Sequence, residues 1–326
     1  MSFTRTLTIL NNNQNYSQSE FAPVALFCYK RKAHLIKTVS ALADNFGAEN
    51  TDLYIFSDGP RVGDDVEKVA AVRAYLDTIR GFRNVKVFSS EENKGLQGSI
   101  IDGVKELLSE YNRVIVLEDD IVTDKAFLSF MNGALEHYKY DRSVWSVSGF
   151  SYINYDPKGV YFLTQPMCWG WATWSRAWGN FEPGFKEEYN LNTIDWLRFN
   201  YFNNFDYYGQ YLKNKKGVLK SWYIFWYLHN FTNGKLTVYP GNSLTKNIGF
   251  DGSGTNSGLL DYNDEQSETE FRREFKLSSY DENVYKLVME KLRTVQLSAR
   301  KTFLRKLKQY LKVYITYCIH RFALFR

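Results

Sequence analysis

Three adjacent carboxylates, Glu118, Asp119 and Asp120, follow directly on the apolar run 114–117. Neighbouring carboxylates repel one another and lose hydration when they are crowded, so such a group needs a compensating cation. A divalent metal bound to a diphosphate would supply that charge, because Mg²⁺ and Mn²⁺ combine one or two carboxylates with phosphate oxygens. The tripeptide alone also fits a second interpretation, in which acids favour the positive end of the helix expected from Ala126.

Two further loops carry polar residues after apolar runs. Asp58 lies in a Ser-Asp-Gly-Pro turn, where its carboxylate could accept hydrogen bonds from a base or ribose, or could stabilise its own turn. Asn93, Lys94, Gly95 and Ser99 lead into an expected helix, whose N-terminus attracts phosphate. This loop is neither a Walker loop nor a GxGxxG loop, so it is a weak signal by itself.

Alternating strands and helices must position these loops. We predict strands at 23–29, 53–56, 85–88 and 113–117, separated by helices at 34–45, 66–79 and 96–108. This order indicates right-handed βαβ units and an α/β fold with a mainly parallel sheet. Ligands of such sheets bind at the carboxyl ends of the strands, where all three loops are expected. Farther on, we predict helices at 126–137 and 222–233 and strands at 144–149 and 235–239.

The motifs in this order resemble those of GT-A fold glycosyltransferases. More narrowly, Glu118-Asp119-Asp120 resembles the Glu-Asp-Asp variant of the DxD motif in bacterial relatives of the N-acetylglucosaminyltransferase I family. The Trp169-Gly170-Trp171 stretch is similar to the acceptor-side segment of that family. The likeness runs from about residue 21 to about residue 258 and implies a GT-A, Rossmann-like fold.

The resemblance also implies roles for individual residues. Asp120 would ligate Mn²⁺ or Mg²⁺, and through it the donor diphosphate, while Glu118 and Asp119 would bind ribose and sugar hydroxyls. Asp58 would contact the base. The remaining implied donor contacts are Tyr29, Lys30, Arg31, Asn93, Lys94, Gly95 and Ser99, and the implied acceptor contacts are Trp169, Gly170 and Trp171.

The general base departs from the family pattern. The resemblance places Tyr223 where the family has an Asp after a Trp, and tyrosine is a poor base near neutral pH. Asp206 and Asp251 are the first alternatives for the base, with Asp195 and Glu182 as further candidates. The glycine-rich stretch 248–256 resembles a closing loop that would exclude water from the donor. Trp171, Trp174 and Trp178 have helical spacing, and we expect at least two of them in the core.

The cysteine spacing and the lack of long apolar stretches limit the classes of protein to which the chain can belong. Three cysteines without close spacing argue against a disulfide framework and a structural zinc site, and favour a reducing cytoplasm. Residues 1–20 lack a signal-peptide pattern, and no stretch approaches the roughly 18–20 apolar residues that span a bilayer.

Charge is divided along the chain. The ten basic residues from Lys291 onward, with no acidic ones, exceed the net charge of +5, so the rest of the chain is acidic. The stretch 300–326 has an amphipathic pattern with basic flanks, which predicts a helix on an anionic membrane surface or packed on the body or a partner subunit. No recognition motif supports nucleic-acid binding.

These inferences predict an irregular lead-in at 1–20 and a GT-A domain at 21–260, with a nucleotide-binding half at 21–122 and an acceptor half at 123–260. A helical extension with the amphipathic tail follows at 261–326. The predicted activity is metal-dependent transfer of a hexosyl or N-acetylhexosaminyl group from a UDP-sugar to a glycan or lipid-linked acceptor. The predicted setting is bacterial surface polysaccharide or lipopolysaccharide synthesis at the cytoplasmic face of the membrane. A sugar nucleotidyltransferase and a non-catalytic sugar-binding homologue are the alternatives.

Overall fold

The computed structural model describes residues 21–251 except 62, 64, 155, 157, 180, 182–188 and 203, and also residues 275, 279 and 282–298. Two compact units divide the chain. The first comprises Met1–Pro183 with Lys220–Asp281, and the second comprises Gly184–Leu219 with Glu282–Arg326. The predicted lead-in 1–20 and tail 300–326 lie outside the described residues.

The first unit contains every strand that the structure describes. These strands are β1 (Val24–Cys28), β2 (Asp52–Ser57), β3 (Asn84–Ser89), β4 (Arg113–Glu118), β5 (Ile121–Thr123), β6 (Val144–Ser148), β7 (Val160–Leu163), β8 (Trp171–Trp174), β9 (Leu236–Pro240) and β10 (Thr245–Asn247). The helices in chain order are α1 (Lys32–Ala43), α2 (Asp65–Leu76), α3 (Gly95–Glu110), α4 (Phe127–His137), α5 (Ser175–Trp178), α6 (Thr193–Phe199), α7 (Tyr207–Lys215), α8 (Trp222–Thr232) and α9 (Glu282–Ser298).

The central sheet has the order β3-β2-β1-β4-β8-β6-β9-β7. Its first four strands are parallel, whereas β8 runs antiparallel to both β4 and β6. A separate antiparallel pair joins β10 to β5. The predicted α/β class with a mainly parallel, helix-flanked sheet is confirmed. Because the parallel strands end at the same edge, the loops that follow β1, β2 and β4 lie together there.

Burial on both faces explains why β1 is a continuous apolar run. Leu26 packs in the cluster that contains Leu35 and Leu42 of α1. On the opposite face the Phe27 ring stacks on Phe56 at 5.0 Å between centroids. A Cβ at Gly103 would lie 2.7 Å from the Phe27 ring, so glycine allows α3 to approach the sheet closely.

Aromatic packing fills the later part of the first unit. Trp171 is 1% exposed, and its ring stacks on Trp222 at 5.0 Å and approaches Trp178 at 5.5 Å. Trp174 is also buried. The core location expected for this tryptophan group is confirmed, but the helical spacing was misleading, because Trp171 and Trp174 belong to strand β8.

The second unit contributes short capped helices. The Asn192 side chain accepts a hydrogen bond from the backbone N–H of Asp195 at the start of α6. The Asp206 side chain accepts a hydrogen bond from the backbone N–H of Gly209 at the start of α7. Within the described residues, no helix is both long and apolar enough to span a bilayer.

Candidate functional site

Asp58 organises the loop after β3 from the end of β2. Its Oδ1 accepts hydrogen bonds from the backbone N–H of Gly59 at 2.9 Å and of Lys94 at 2.8 Å. Its Oδ2 accepts from Gly95 N at 2.9 Å and from Asn93 Nδ2 at 3.1 Å. Four donors therefore hold this buried carboxylate, and it fixes the entry to α3. In this structure Asp58 binds the protein itself, whereas its predicted contact with a base stays a prediction.

Arg31 supplies a cation to the carboxylates after β4. Its Nη2 donates to Asp119 Oδ1, and to Asp120 Oδ2 at 2.7 Å. Burial lowers the pKa of the guanidinium, but the two carboxylates outweigh that effect and raise it. The positive charge that the sequence argument assigned to a metal is thus partly present within the chain. Arg31 Nη1 is buried without a hydrogen-bond partner among the described residues.

Two members of the carboxylate group keep open oxygens, whereas the Tyr29 backbone also serves the Asp119 carboxylate. Among the described residues, neither the Glu118 carboxylate nor Asp120 Oδ1 accepts a hydrogen bond. Burial, Asp120 and Asp119 together raise the pKa of Glu118 to about 8. Burial raises the pKa of Asp119 to about 6, although Arg31 opposes that shift. These oxygens carry incomplete charge compensation and would gain from a further cation.

The segment after β10 packs on the same carboxylates. The backbone N–H of Ile248 donates to the carbonyl oxygen of Asp120 at 2.9 Å. A Cβ at Gly249 would clash with Asp120 Oδ2 and would lie 3.2 Å from Arg31 Nη1. Glycine is therefore required where this segment crosses the site. Residues 252–256 of the predicted closing loop lie outside the described residues.

Asp251 of this segment pairs with His34 of α1. The His34 Nε2 to Asp251 Oδ2 distance is 3.0 Å, and the Asp251 side chain is 48% exposed. Because Arg31 precedes α1 and Gly249 lies against Asp120, the pair stands close to the carboxylate group. Sequence reasoning treated His34 as structural, and no spacing rule connects it to Asp251.

The loop after β1 is fixed to the start of α2. Asp65 accepts hydrogen bonds from Tyr29 Oη and from Lys30 Nζ, each at 2.7 Å. Tyr29 Oη in turn accepts from the backbone N–H of Arg61 at 3.0 Å. Sequence reasoning missed Asp65, although its position in the first turn of a helix is typical of a residue that pairs with a cation.

The α3 entry residues differ in their contacts. Lys94 Nζ pairs with Asp102 at 3.1 Å, and Asn93 Oδ1 accepts from Arg61 Nε at 3.1 Å. Ser99 Oγ is buried with no hydrogen-bond partner among the described residues. These residues share the carboxyl edge of the sheet with Asp58, as the predicted topology requires.

The predicted acceptor residues separate into surface and core. Trp169 is half-buried and meets Phe250 edge to face at 5.4 Å. Gly170 has a φ of +73°, and a Cβ there would lie 2.8 Å from the Thr245 side chain. The structure corrects the prediction for Trp171, because its ring is enclosed in the aromatic core and presents no face to an acceptor.

Two base candidates hold structural positions. Tyr223 Oη donates to the Pro166 carbonyl oxygen at 3.1 Å and accepts from Gln165 Nε2 at 2.6 Å. Asp206 caps α7 in the second unit, where Gly209 N donates to it at 3.2 Å. The half-buried Asp195 lies in the first turn of α6, and Glu182 lies outside the described residues.

Two cysteine thiols lie at this edge of the sheet. Burial raises the pKa of Cys28 at the end of β1, and Asp119 adds to that shift. Burial also raises the pKa of Cys168, with Glu118 and Asp120 contributing. Both thiols are therefore protonated near neutral pH and poor nucleophiles.

The carboxylate chemistry fits a hard divalent cation. No group of three His, Cys, Asp or Glu side chains within the described part of the chain is arranged to hold a metal ion. However, Mg²⁺ and Mn²⁺ bind one or two carboxylates together with substrate phosphates and water. The open oxygens of Glu118 and Asp120 fit such a metal, which would need a diphosphate to complete its ligands.

Comparisons with known proteins identify no family. No protein-family model matches the chain, and no curated protein matches it. Among solved structures, one similar chain is mannosyltransferase PcManGT from Pyrobaculum calidifontis in complex with GDP-Man and Mn²⁺, with 11% identity, a TM-score of 0.34, and coverage of 49% of this chain and 46% of that one. Another is S. aureus TarS, with 13% identity, a TM-score of 0.28, and coverage of 42% of this chain and 22% of that one. Each match spans less than half of the solved chain.

Proposed function

We propose that this chain is a glycosyltransferase that moves a sugar from a nucleotide-sugar, a UDP-sugar, to a hydroxyl group of a glycan or lipid-linked acceptor. The observation that carries the proposal is the open pair of carboxylates, Glu118 and Asp120, at the carboxyl edge of a parallel sheet. This pair stands across β1 from the Asp58 loop, since Phe27 pairs with Glu118 and Cys28 with Ser57 in the sheet register. A cation held by these carboxylates could bind a nucleotide diphosphate, whereas the backbone N–H groups of Lys94 and Gly95 at the start of α3 already donate to Asp58.

Charge arithmetic supports a metal-dependent donor. Asp119 and Asp120 together carry two negative charges when ionised, and Arg31 returns one positive charge. A diphosphate alone would meet a net negative group and be repelled. A bound Mn²⁺ or Mg²⁺ would supply Lewis-acid neutralisation of the leaving diphosphate. Glu118 and Asp120 are the residues that would hold it.

The transfer also requires a base that takes up one proton. The acceptor oxygen forms a bond to the anomeric carbon, the bond from that carbon to the diphosphate oxygen breaks, and the hydroxyl proton leaves to a base. We propose the His34–Asp251 pair as the base, because α1 begins after Arg31 and Asp251 follows Gly249, which lies against Asp120. Its carboxylate partner would stabilise the charged imidazole after proton transfer.

The finer assignments rest on the sequence resemblance. A hexosyl or N-acetylhexosaminyl donor, a product in bacterial surface polysaccharide or lipopolysaccharide, and a location at the cytoplasmic face of the membrane are proposed on that basis. Contact with the membrane would involve the basic stretch 300–326, which lies outside the described residues.

A thermal-shift screen tests the donor class. Purified protein is mixed with UDP-, GDP- and CMP-sugars, each with Mn²⁺ or with EDTA. A ligand at one hundred times its dissociation constant stabilises the folded state by about 2.7 kcal/mol. We expect a metal-dependent shift with a UDP-sugar. That shift should disappear in Asp120→Asn and persist in Asp77→Asn, which changes an exposed carboxylate on the same unit. Absence of a shift with every donor would refute the carboxylate assignment.

Donor hydrolysis separates the two alternatives. A non-catalytic homologue would bind the donor without releasing the nucleotide diphosphate, whether or not an acceptor is present. A sugar nucleotidyltransferase would instead release pyrophosphate from a nucleoside triphosphate. The loop after β1 disfavours the latter, because Tyr29-Lys30-Arg31 contains no glycine and its side chains are bound to Asp65, Asp119 and Asp120.

A further inference from the structure

A cavity of about 560 Å³ opens at the amino ends of β1 and β4. Pro23 lies just before β1, and Arg113 is the first residue of β4, so the cavity occupies the edge of the sheet opposite the carboxylates. Its volume lies within the range of about 300–1,000 Å³ that is typical of small-molecule sites. It therefore has the size of a ligand site and no part in the proposed transfer.

The described residues that line this cavity carry an excess of positive charge. Four are basic, namely Arg113, Lys139, Arg142 and Arg176, and one is acidic, Glu136. The Glu136 carboxylate is shared, since Arg113 Nη1 donates to it at 3.0 Å and Lys139 Nζ also donates to it. Glu136 thus pairs with two of the four cations. The other two cations, Arg142 and Arg176, have no acidic partner among the residues that line the cavity.

Arg176 is held by main-chain oxygens and has no acidic partner among the residues that line the cavity. Its guanidinium donates to the carbonyl oxygens of Lys139, Val144 and Tyr138, each at 2.9 Å. Burial lowers its pKa to about 10, the charge of Arg142 contributes to that shift, and Asp141 opposes it. The Arg142 side chain is exposed and forms no ion pair or hydrogen bond with the described residues. An anion at this place would relieve the repulsion between the two guanidinium groups.

Aromatic rings accompany the cations. Tyr140 is 83% exposed, and Lys139 Nζ lies 5.1 Å from the centre of its ring. The Trp174 ring lies beneath the Arg176 guanidinium at 4.4 Å. An exposed flat ring next to cationic groups suits the apolar face of a sugar whose substituent is charged. A bare inorganic anion would make no use of Tyr140.

We propose that this cavity binds an anionic sugar, one that carries a phosphate or a carboxylate, at a site separate from the carboxyl edge. Arg142 contacts the anion, because its planar guanidinium can pair with two oxygens and has no other partner among the described residues. Tyr140 packs on the sugar ring. The proposal rests on the cavity alone and stands whether or not the chain transfers sugars.

Isothermal titration calorimetry of the full chain at low salt tests the proposal. The probes are glucose 6-phosphate, glucuronate, inorganic phosphate and glucose. We expect glucose 6-phosphate or glucuronate to bind and glucose not to bind. Arg142→Ala should weaken the binding at least tenfold, whereas Arg198→Ala, an exposed arginine of the second unit, should leave it unchanged. Tyr140→Ala should weaken sugar binding severalfold and leave the binding of inorganic phosphate unaltered.

Three outcomes would overturn the proposal. The first is no binding of any anionic probe. The second is equal affinity in Arg142→Ala and the wild-type chain. The third is Arg142-dependent binding to phosphatidylglycerol vesicles but not to phosphatidylcholine vesicles, without binding of either soluble sugar. That last result would assign the cavity to a membrane surface instead of a free anionic sugar.

Discussion

Arg31 is the residue whose role the structure changes most. The family resemblance implies that Arg31 lies beside the nucleotide, and in the structure it pairs with Asp119 and Asp120. Arg31→Met should destabilise the metal-free chain, because removing one partner of a largely buried ion pair leaves carboxylates uncompensated. We expect a loss of about 3–5 kcal/mol in the free energy of unfolding, and a larger stabilisation by Mn²⁺ than in the wild-type chain.

Urea denaturation in EDTA and in Mn²⁺ measures both effects. Arg198→Met, on an exposed arginine, is the matched control and should change neither quantity. An equal response to Mn²⁺ in Arg31→Met and the wild-type chain would show that Arg31 and the metal do not share the carboxylates.

Asp251 and Asp206 give opposite predictions for the general base. Asp251→Asn should lower kcat by about 10²–10⁴-fold with donor affinity unchanged, because the His34 base loses the carboxylate that stabilises its charged imidazole. Asp206→Asn keeps a side-chain oxygen that can cap α7, so kcat should stay near the wild-type value. Single-turnover transfer with saturating donor measures the two rates. A loss confined to Asp206→Asn would move the base to the second unit.

At the scale of elements, the segment after β10 depends on one glycine. Gly249→Ala would place a methyl group against Asp120 Oδ2. We expect the fold to persist, because the clash lies at the edge of the sheet, and metal-dependent donor affinity to fall at least tenfold. Gly98→Ala is the control, since its Cβ would meet only Lys94 Cβ at 3.5 Å, an ordinary contact within a helix. Equal donor affinity in both variants would contradict a role for this segment in the site.

The first four strands and their helices were predictable because their signals are local. Each of β1, β2 and β4 is an apolar run buried on both faces, and α1 and α3 bury residues at helical spacing. Strands β5, β7, β8 and β10 contain three or four residues each and were not predicted. Such segments are too short to show a period, and their positions depend on neighbours distant in sequence.

The location of the site in the fold was predictable from the sequence, but the side-chain contacts within it were not. The order of loops put Asp58 and Glu118-Asp119-Asp120 at one edge. The pairs that define the geometry, Arg31 with Asp119 and His34 with Asp251, join residues far apart in the chain. No local pattern encodes such pairs, so the cation on the carboxylates and the neighbour of Asp251 became visible only in the folded chain.

At the scale of the whole molecule, stability should depend on one buried histidine. His229 of α8 packs against Trp145 at 5.1 Å and Phe181 at 5.7 Å, and burial lowers its pKa to about 4 from 6.5. The unfolded chain therefore binds a proton more readily than the folded chain between these values. The contribution of His229 is complete above pH 6.5 and is lost as pH falls toward 4, by up to about 3 kcal/mol.

Urea denaturation of the wild-type chain and of His229→Phe across pH 4–8 measures this contribution. The carboxylates, whose raised pKa values make the metal-free chain less stable as pH rises, contribute equally to both proteins. Their effect cancels in the difference between the two curves. That difference should fall with decreasing pH below 6.5 and stay constant above it. Parallel curves over the whole range would place the acid sensitivity elsewhere.

The protonated state of Cys28 and Cys168 has a practical consequence for spectroscopy. Maleimide and iodoacetamide dyes react with thiolates, so the buried Cys28 and the half-buried Cys168, whose pKa values are raised, should remain unlabelled at neutral pH. In a Cys318→Ser background, Asn112→Cys would then accept a single fluorophore at an exposed position of the cavity lining. The fluorescence of that dye would report whether the cavity at the amino ends of the strands is occupied while the donor occupies the carboxyl edge. Coupling between the two edges of the sheet could then be measured by fluorescence.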